Sequence, residues 1–314
     1  MKIKNYISVL NEVRKNGGIF KRLFMVHFSR HEFFWKFFNR RSNGRYKSCD
    51  TRISRFSKKV ADEVSKQGYS VRMLSDFLDK DHINKLENDV LQRFKSEPRA
   101  KDETWVSQKE YIKYYEGGFY PEIQTFSLNS IFHKLAINEN IINVANLYFE
   151  SIGNLCHVEL NICNVLSDNE TTQGSQRAHR DPALKHTLKV FIYWSDVSKD
   201  GGPFSYFPFT HSRGNLRCIA KNRKVFGGSF YPPKSEYESI SSKELIGKKG
   251  TIIFCDTAGL HYGGFSRDKP RKMSTFVYYP EIDFVQPRLR INASDVVKEA
   301  LSKQQKYALG MKKN

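Results

Sequence analysis

The sequence predicts a mainly β protein with helical additions, an antiparallel sandwich or barrel core flanked by α-helices. Three observations carry that expectation. From about residue 155 to 280 the texture changes to strands, with period-two alternation of apolar and polar residues at Cys156–Ile162. Glycine and proline punctuate it at Gly201-Gly202-Pro203, Gly227-Gly228, Pro232-Pro233, Gly263-Gly264 and Pro270, which suits short antiparallel strands rather than a βαβ array. Before residue 150 the spacing is helical instead. With 314 residues, 39% hydrophobic and 14% aromatic, the chain can bury a sizeable core, which excludes generic disorder.

Four regions follow in order. Residues 1–50 form a basic aromatic arm, with twelve Lys or Arg against Glu12, Glu32 and Asp50, a local charge of +9 within a total of +19. Phe20, Leu23 and Phe24, then Phe34, Trp35 and Phe38, have the spacing of an amphipathic helix. Such a helix either rests on an anionic membrane surface or packs on the core with its basic side in water. Residues 51–150 read as a mainly helical region packing on the core, with segments near 56–67, 73–79, 83–95 and 128–149. Residues 151–285 are the β core, its strands at Cys156–Ile162, Leu188–Trp194, Thr251–Cys255 and Lys272–Tyr279. Residues 286–314 read as a C-terminal helix, 293–309, and a basic tail.

Charge and cysteines narrow the partners. A surplus of +19 favours anionic partners such as phosphates, acidic sugars, nucleic acid or anionic lipid headgroups. The five cysteines are odd in number and widely spaced, with no C-x-x-C, against a disulfide framework or zinc ribbon. No stretch approaches the roughly 20 apolar residues of a membrane span, and the first residues lack the apolar run of a secretory signal. The expected location is cytoplasmic, with peripheral membrane contact through residues 1–50 as an extension. No phosphate-cradling glycine motif and no G-x-S-x-G elbow occurs.

Among nine histidines, two begin a His-x-acid pair, His157-Val158-Glu159 and His179-Arg180-Asp181. The first lies within a strand and reads as a histidine satisfied beside a carboxylate. The second precedes a strand, and its two end residues point to one side when extended. Gly259-Leu260-His261-Tyr262-Gly263-Gly264 follows eighty residues later. Two imidazoles and a carboxylate on one face are the ligand set of non-haem Fe(II) oxygenases, which leaves the opposite face open. Arg271, opening the last strand, offers the bidentate fork that holds the far carboxylate of an oxo acid. On the strand after the motif, Lys189, Phe191 and Tyr193 share one face and Leu188, Val190, Ile192 and Trp194 the other. The first face suits the cavity, with Lys189 and Tyr193 as donors to an anionic ligand. Arg177, Arg180 and His186 are the candidate substrate contacts.

The run Ser175-Gln176-Arg177-Ala178-His179-Arg180-Asp181-Pro182, then Leu188 to Val197, Gly201-Gly202-Pro203-Phe204, Thr210-His211-Ser212-Arg213-Gly214, Gly250-Thr251, Asp256, His261 and Arg271, resembles the phytanoyl-CoA dioxygenase family of Fe(II)- and 2-oxoglutarate-dependent oxygenases. The resemblance covers about residues 154–280. It implies a double-stranded β-helix (jelly-roll) with Fe(II) on His179, Asp181 and His261, 2-oxoglutarate on Arg271, and dioxygen as co-substrate. A carboxylate at 181 is similar to the hydroxylases, where related halogenases have a small residue. The turn Thr210-His211-Ser212 departs from the Gly-Ser-His frequent in the family. The implied activity is hydroxylation of a small or lipid-linked anionic metabolite. The alternatives are a catalytically inactive jelly-roll binding module and an oxygenase acting on nucleic acid, the latter without any recognised reading motif.

Overall fold

The structure, a computed structural model, describes residues 32–47, 52–95, 105–107, 111–115, 124–163, 165, 174–181, 185–220, 231–281, 289–292 and 294–311. The stripe at Phe20, Leu23 and Phe24 lies outside the described residues, as does most of the basic tail.

The strands are β1 (Tyr69–Met73), β2 (Trp105–Ser107), β3 (Tyr111–Tyr115), β4 (Gln124–Ser127), β5 (Gly153–Cys163), β6 (Leu188–Tyr193), β7 (Ser205–Tyr206), β8 (Lys243–Glu244), β9 (Thr251–Asp256), β10 (His261–Tyr262), β11 (Arg271–Pro280) and β12 (Leu289–Asn292). The helices are α1 (Glu32–Lys47), α2 (Arg55–Gln67), α3 (Lys80–Lys95), α4 (Ile131–Ala136), α5 (Glu139–Phe149), α6 (Asp295–Glu299) and α7 (Lys303–Ala308). A major sheet runs in the order β1-β9-β6-β11-β5-β3-β2, and every neighbouring pair in it is antiparallel. A minor sheet has the order β10-β7-β8. The two sheets form a double-stranded β-helix, with the helices covering the outer face of the major sheet.

Alternation along the strands sorts the side chains into two layers. Leu188, Val190 and Ile192 from β6 with Trp194 just after it, Leu160 and Ile162 from β5, Ile252 and Phe254 from β9, and Phe276 and Tyr278 from β11 face the helices and join one buried core. Burying each such side chain contributes about 1.5–3 kcal/mol. Phe191, Tyr193, Ile253, Cys255 and Met273 face the minor sheet with Phe204 and Tyr206. β11 is thus the central strand, paired along ten residues with β5 and six with β6, with a register shift between Val277 and Tyr278.

Helix α2 begins at Ser54, whose hydroxyl accepts from the Ser57 amide, and ends at Gly68 with φ +94°. That glycine is required twice over. Its backbone is left-handed, and a Cβ there would collide with the Tyr206 ring. The turn sends the chain straight into β1, so the helix expected over 73–79 is instead strand Tyr69–Met73 and a single 3₁₀ turn, Leu74–Asp76. The segment 128–149 is two helices, because Asn138 caps α5 with its side chain and breaks the run at Ile137. Residues 293–309 likewise divide, at Ser302, which caps α7 with a capping box.

Candidate metal centre

The site is built where the two sheets meet at one end. His179 pairs with His261 across an isolated antiparallel bridge. The His179 amide donates to the His261 carbonyl and the reverse bond is also made, both at 2.9 Å. This is the reciprocally hydrogen-bonded pairing of directly opposite residues, whose side chains lie on the same face. Two residues on, the Asp181 amide donates to the Thr257 carbonyl at 2.9 Å, which extends the ladder and turns Asp181 toward the same side. One ligand atom from each of the three residues lies within 4.8 Å of the others.

Tautomers follow from the backbone. The His179 Nδ1 is 2.8 Å from the Arg177 carbonyl oxygen and the His261 Nδ1 3.0 Å from that of Gly259. A carbonyl only accepts, so each Nδ1 carries the proton and each Nε2 keeps its lone pair for the centre. His179 Nε2 is 3.9 Å from Asp181 Oδ1.

The electrostatics suit a cation. Burial alone would raise the Asp181 carboxyl, but the Lys189 ammonium above all holds it well below the usual carboxylate range. Burial, aided by the neighbouring His179, pushes His261 down to about 3, so it stands neutral and able to ligate. Lys189 Nζ lies 2.8 Å from Asp181 Oδ2. Burial opposes its charge, but that carboxylate and, further off, Glu159 keep the ammonium above its ordinary value.

A cavity of about 90 Å³ opens between these residues, and Arg271, Lys189, Glu159, Asn161 and Thr275 line it with His179 and His261. Phe191, Phe204 and Met273 form its apolar wall. Arg271 is 6% exposed. One of its Nη atoms donates to the Gly202 carbonyl, while its Nε is buried with no hydrogen-bond partner. Asn161 Nδ2 donates to Thr275 Oγ1 at 3.2 Å and reaches Glu159 Oε1 at 3.4 Å. Glu159, Asn161 and Thr275 were not among the expected site residues. Their signal was parity, since all three share the cavity face with Arg271 in the β5–β11 register.

Three expected contacts lie elsewhere. Tyr193 shares the face of Lys189, but its hydroxyl donates to the Leu245 carbonyl and accepts from the Phe204 amide, so it ties the sheets together. Arg180 points away from its two neighbours, and its guanidinium donates to the carbonyls of Thr210, Ile219, Ala220 and Ala258. It fastens the loops behind the site. His186, 1% exposed, faces Asp256, Tyr148, Ser212 and the Trp35 ring. Arg177 is exposed at the rim, over the Tyr231 ring.

Behind the histidines, Asp256 organises the turn. Its carboxylate accepts from the Tyr148 hydroxyl and from the amides of Thr187 and Ala258. The Tyr206 hydroxyl donates to its main-chain carbonyl. The same turn presents the Thr257 carbonyl to Asp181 and leads into His261.

No protein-family model matches the chain, and none of the curated proteins matches it. Solved structures do. The epimerase SnoN, in complex with Fe3+, alpha-ketoglutarate and nogalamycin RO, aligns at a TM-score of 0.51 and 15% identity over 71% of this chain and 83% of SnoN. The non-haem alpha-ketoglutarate-dependent carbocyclase SnoK from nogalamycin biosynthesis aligns at 0.51 and 13% over 78% and 98%. EctD from S. alaskensis, with 2-oxoglutarate and 5-hydroxyectoine, aligns at 0.51 and 16% over 78% and 90%. The chain therefore has the double-stranded β-helix fold that these iron- and 2-oxoglutarate-dependent enzymes share.

Proposed function

We propose that the protein is an Fe(II)- and 2-oxoglutarate-dependent dioxygenase that hydroxylates an anionic small molecule. The observation that carries this is the convergence of His179, Asp181 and His261 beside a cavity lined by both histidines and by Arg271. Two tests of fit support it. Both imidazoles present Nε2 because their Nδ1 protons are committed to carbonyls, and two neutral nitrogens with one carboxylate suit a divalent iron. The Arg271 Nε, buried without a partner, is a donor in want of an acceptor, which a dicarboxylic oxo acid supplies.

When bound, iron with 2-oxoglutarate and dioxygen would supply an oxidant for an unactivated C–H bond, one oxygen atom going to the substrate and the other to succinate, with carbon dioxide released. The rest belongs to the chain. His179, Asp181 and His261 would hold the metal, each through one donor atom. Arg271 fixes a carboxylate through its fork, and Gly202 holds the guanidinium in place. Lys189 adds a second cation at the cavity floor. Phe191, Phe204 and Met273 exclude water and lower the local dielectric, which strengthens each of these contacts.

The carboxylate at position 181 favours hydroxylation, since it fills the ligand place that a halide would need. Anaerobic titration of the protein with Fe(II) and 2-oxoglutarate tests the reading through the weak visible charge-transfer band of such centres. Absence of the band, with no succinate formed in air, overturns it.

The partner surface extends this reading. Along α1, Phe33, Lys36, Phe37, Arg40, Arg41, Gly44 and Lys47 are exposed, at a spacing that makes one continuous face. Phe33 is 74% exposed and Phe37 45%. Trp35, on the opposite side, is buried against His186. A helix held to the core by Trp35 and presenting two phenylalanines among cations is suited to rest on an anionic lipid surface. No described helix is long and apolar enough to cross a membrane.

A further inference from the structure

The cavity at the metal ligands is small. Its roughly 90 Å³ holds on the order of six to nine water-sized spheres, which the ten non-hydrogen atoms of 2-oxoglutarate, on the reading above, would fill. The body of the substrate must therefore sit beside it. A groove of about 450 Å³ adjoins the centre, within the size range of ligand sites. Gln176 lines both hollows, and the Tyr231 ring touches the His179 ring with centroids 6.0 Å apart. Phe207, Tyr231, Tyr237 and Tyr262 supply four aromatic rings to the groove, with Arg177 and Lys234 as its cations. No carboxylate lines it among the described residues. Arg177 lies over Tyr231, 4.6 Å from the ring centroid, so its face is committed to the ring while its N–H edge can still meet an anion.

Aromatic faces recognise flat or ring-shaped apolar surface, and cations without acids recognise anions. We propose that this groove seats the substrate, and that the substrate is a ring-bearing anion, a sugar or aromatic ring carrying a phosphate or carboxylate. Tyr231 and Arg177 set its position relative to the open face of the centre. The proposal deepens the oxygenase reading and rests on it for the direction in which the substrate points.

Ligand-observed NMR on the full chain tests it, with phenyl phosphate and glucose 1-phosphate as probes and phenol, glucose and inorganic phosphate as controls. At least one ring-bearing phosphate should bind about tenfold more tightly than its ring or phosphate alone. Tyr231→Ala and Arg177→Ala should each weaken that probe about tenfold, and Lys234→Ala by a few-fold. Probe affinity measured anaerobically should be the same within about twofold with and without Fe(II), so loss of the iron reading and loss of the groove are told apart. Binding of neither ring-bearing phosphate overturns the proposal. So does equal binding of inorganic phosphate, or affinity unchanged in both Tyr231→Ala and Arg177→Ala.

Discussion

His179 and His261 are bonded to each other through their backbones, amide to carbonyl in both directions at 2.9 Å, and their rings lie with centroids 4.3 Å apart. The distance between two metal donors eighty-two residues apart in sequence is thus fixed by a ladder, before any metal arrives. Removing one ring should abolish the site without disturbing the ladder. His179→Ala should lower Fe(II) affinity by more than about 100-fold, read from the anaerobic titration. Its thermal midpoint should stay close to that of the parent.

Arg271 acts on a different ligand. Arg271→Leu should raise the 2-oxoglutarate requirement about 100-fold and leave Fe(II) affinity within a few-fold. Equal loss of both would assign Arg271 to the fold through its bond to Gly202. Succinate production against 2-oxoglutarate concentration, paired with metal titration, gives the two numbers.

Asp256 supports the turn that carries His261. Asp256→Ala should cost roughly 3 kcal/mol in urea unfolding, because it strands the Tyr148 hydroxyl and two amides in the core. Tyr148→Phe should cost about 1–2 kcal/mol. Losses below about 0.5 kcal/mol, the scatter of ordinary surface changes, would remove Asp256 from this role.

The metal-free protein should lose stability as pH falls below about 6.5, the ordinary histidine value. Burial lowers His186 against the pull of Asp256, and burial with His179 takes His261 to about 3. In the window beneath 6.5 the unfolded chain binds protons that the folded chain refuses, so the folded state weakens. Asp256, held below 3.8 by His186, His211 and Tyr148 against the effect of burial, adds a loss of the same sign in more acid solution. Thermal midpoints from pH 8 to 4.5 should fall steadily below about 6.5, and His186→Gln should flatten part of that slope.

Flotation tests the α1 surface. Full-length protein should float with anionic vesicles and less with neutral ones, and Phe33→Ser with Phe37→Ser should cut flotation several-fold, since each inserted ring adds apolar burial. Unchanged flotation in the double variant, or none with anionic vesicles, ends that proposal.

The β core was legible from the alternation at Cys156–Ile162 and from the glycine and proline turns around the later strands, whose two faces are both largely buried and so carry no two-residue period. The triad was legible because His-x-Asp in extended chain is a local pattern and the glycine-rich turn around His261 is another. What the sequence withheld was partnership over distance. Arg180 stands between two ligands, but the carbonyls it meets are 30 to 78 residues away. Tyr193 has the right parity, but the carbonyl it meets, at Leu245, lies just past β8 of the minor sheet. Strand Tyr69–Met73 was read in part as helix because it is an edge strand, mostly half-buried, whose pairing with β9 is tertiary. Tyr231 carried no signal at all, since its relation to His179 exists only across the fold.

The strands of the minor sheet are two residues long each, whereas β5 has eleven and β11 ten. So short a ladder contributes few cooperative bonds, and it holds His261. The two halves of the molecule should therefore melt by different routes, the half that carries His261 opening in local excursions while the helix-backed half exchanges only on global unfolding. Amide protons of Tyr206 and His261 should exchange with solvent orders of magnitude faster than those of Val190 or Phe276, and Fe(II) should slow the first pair alone, so that metal binding doubles as the clasp of the smaller sheet.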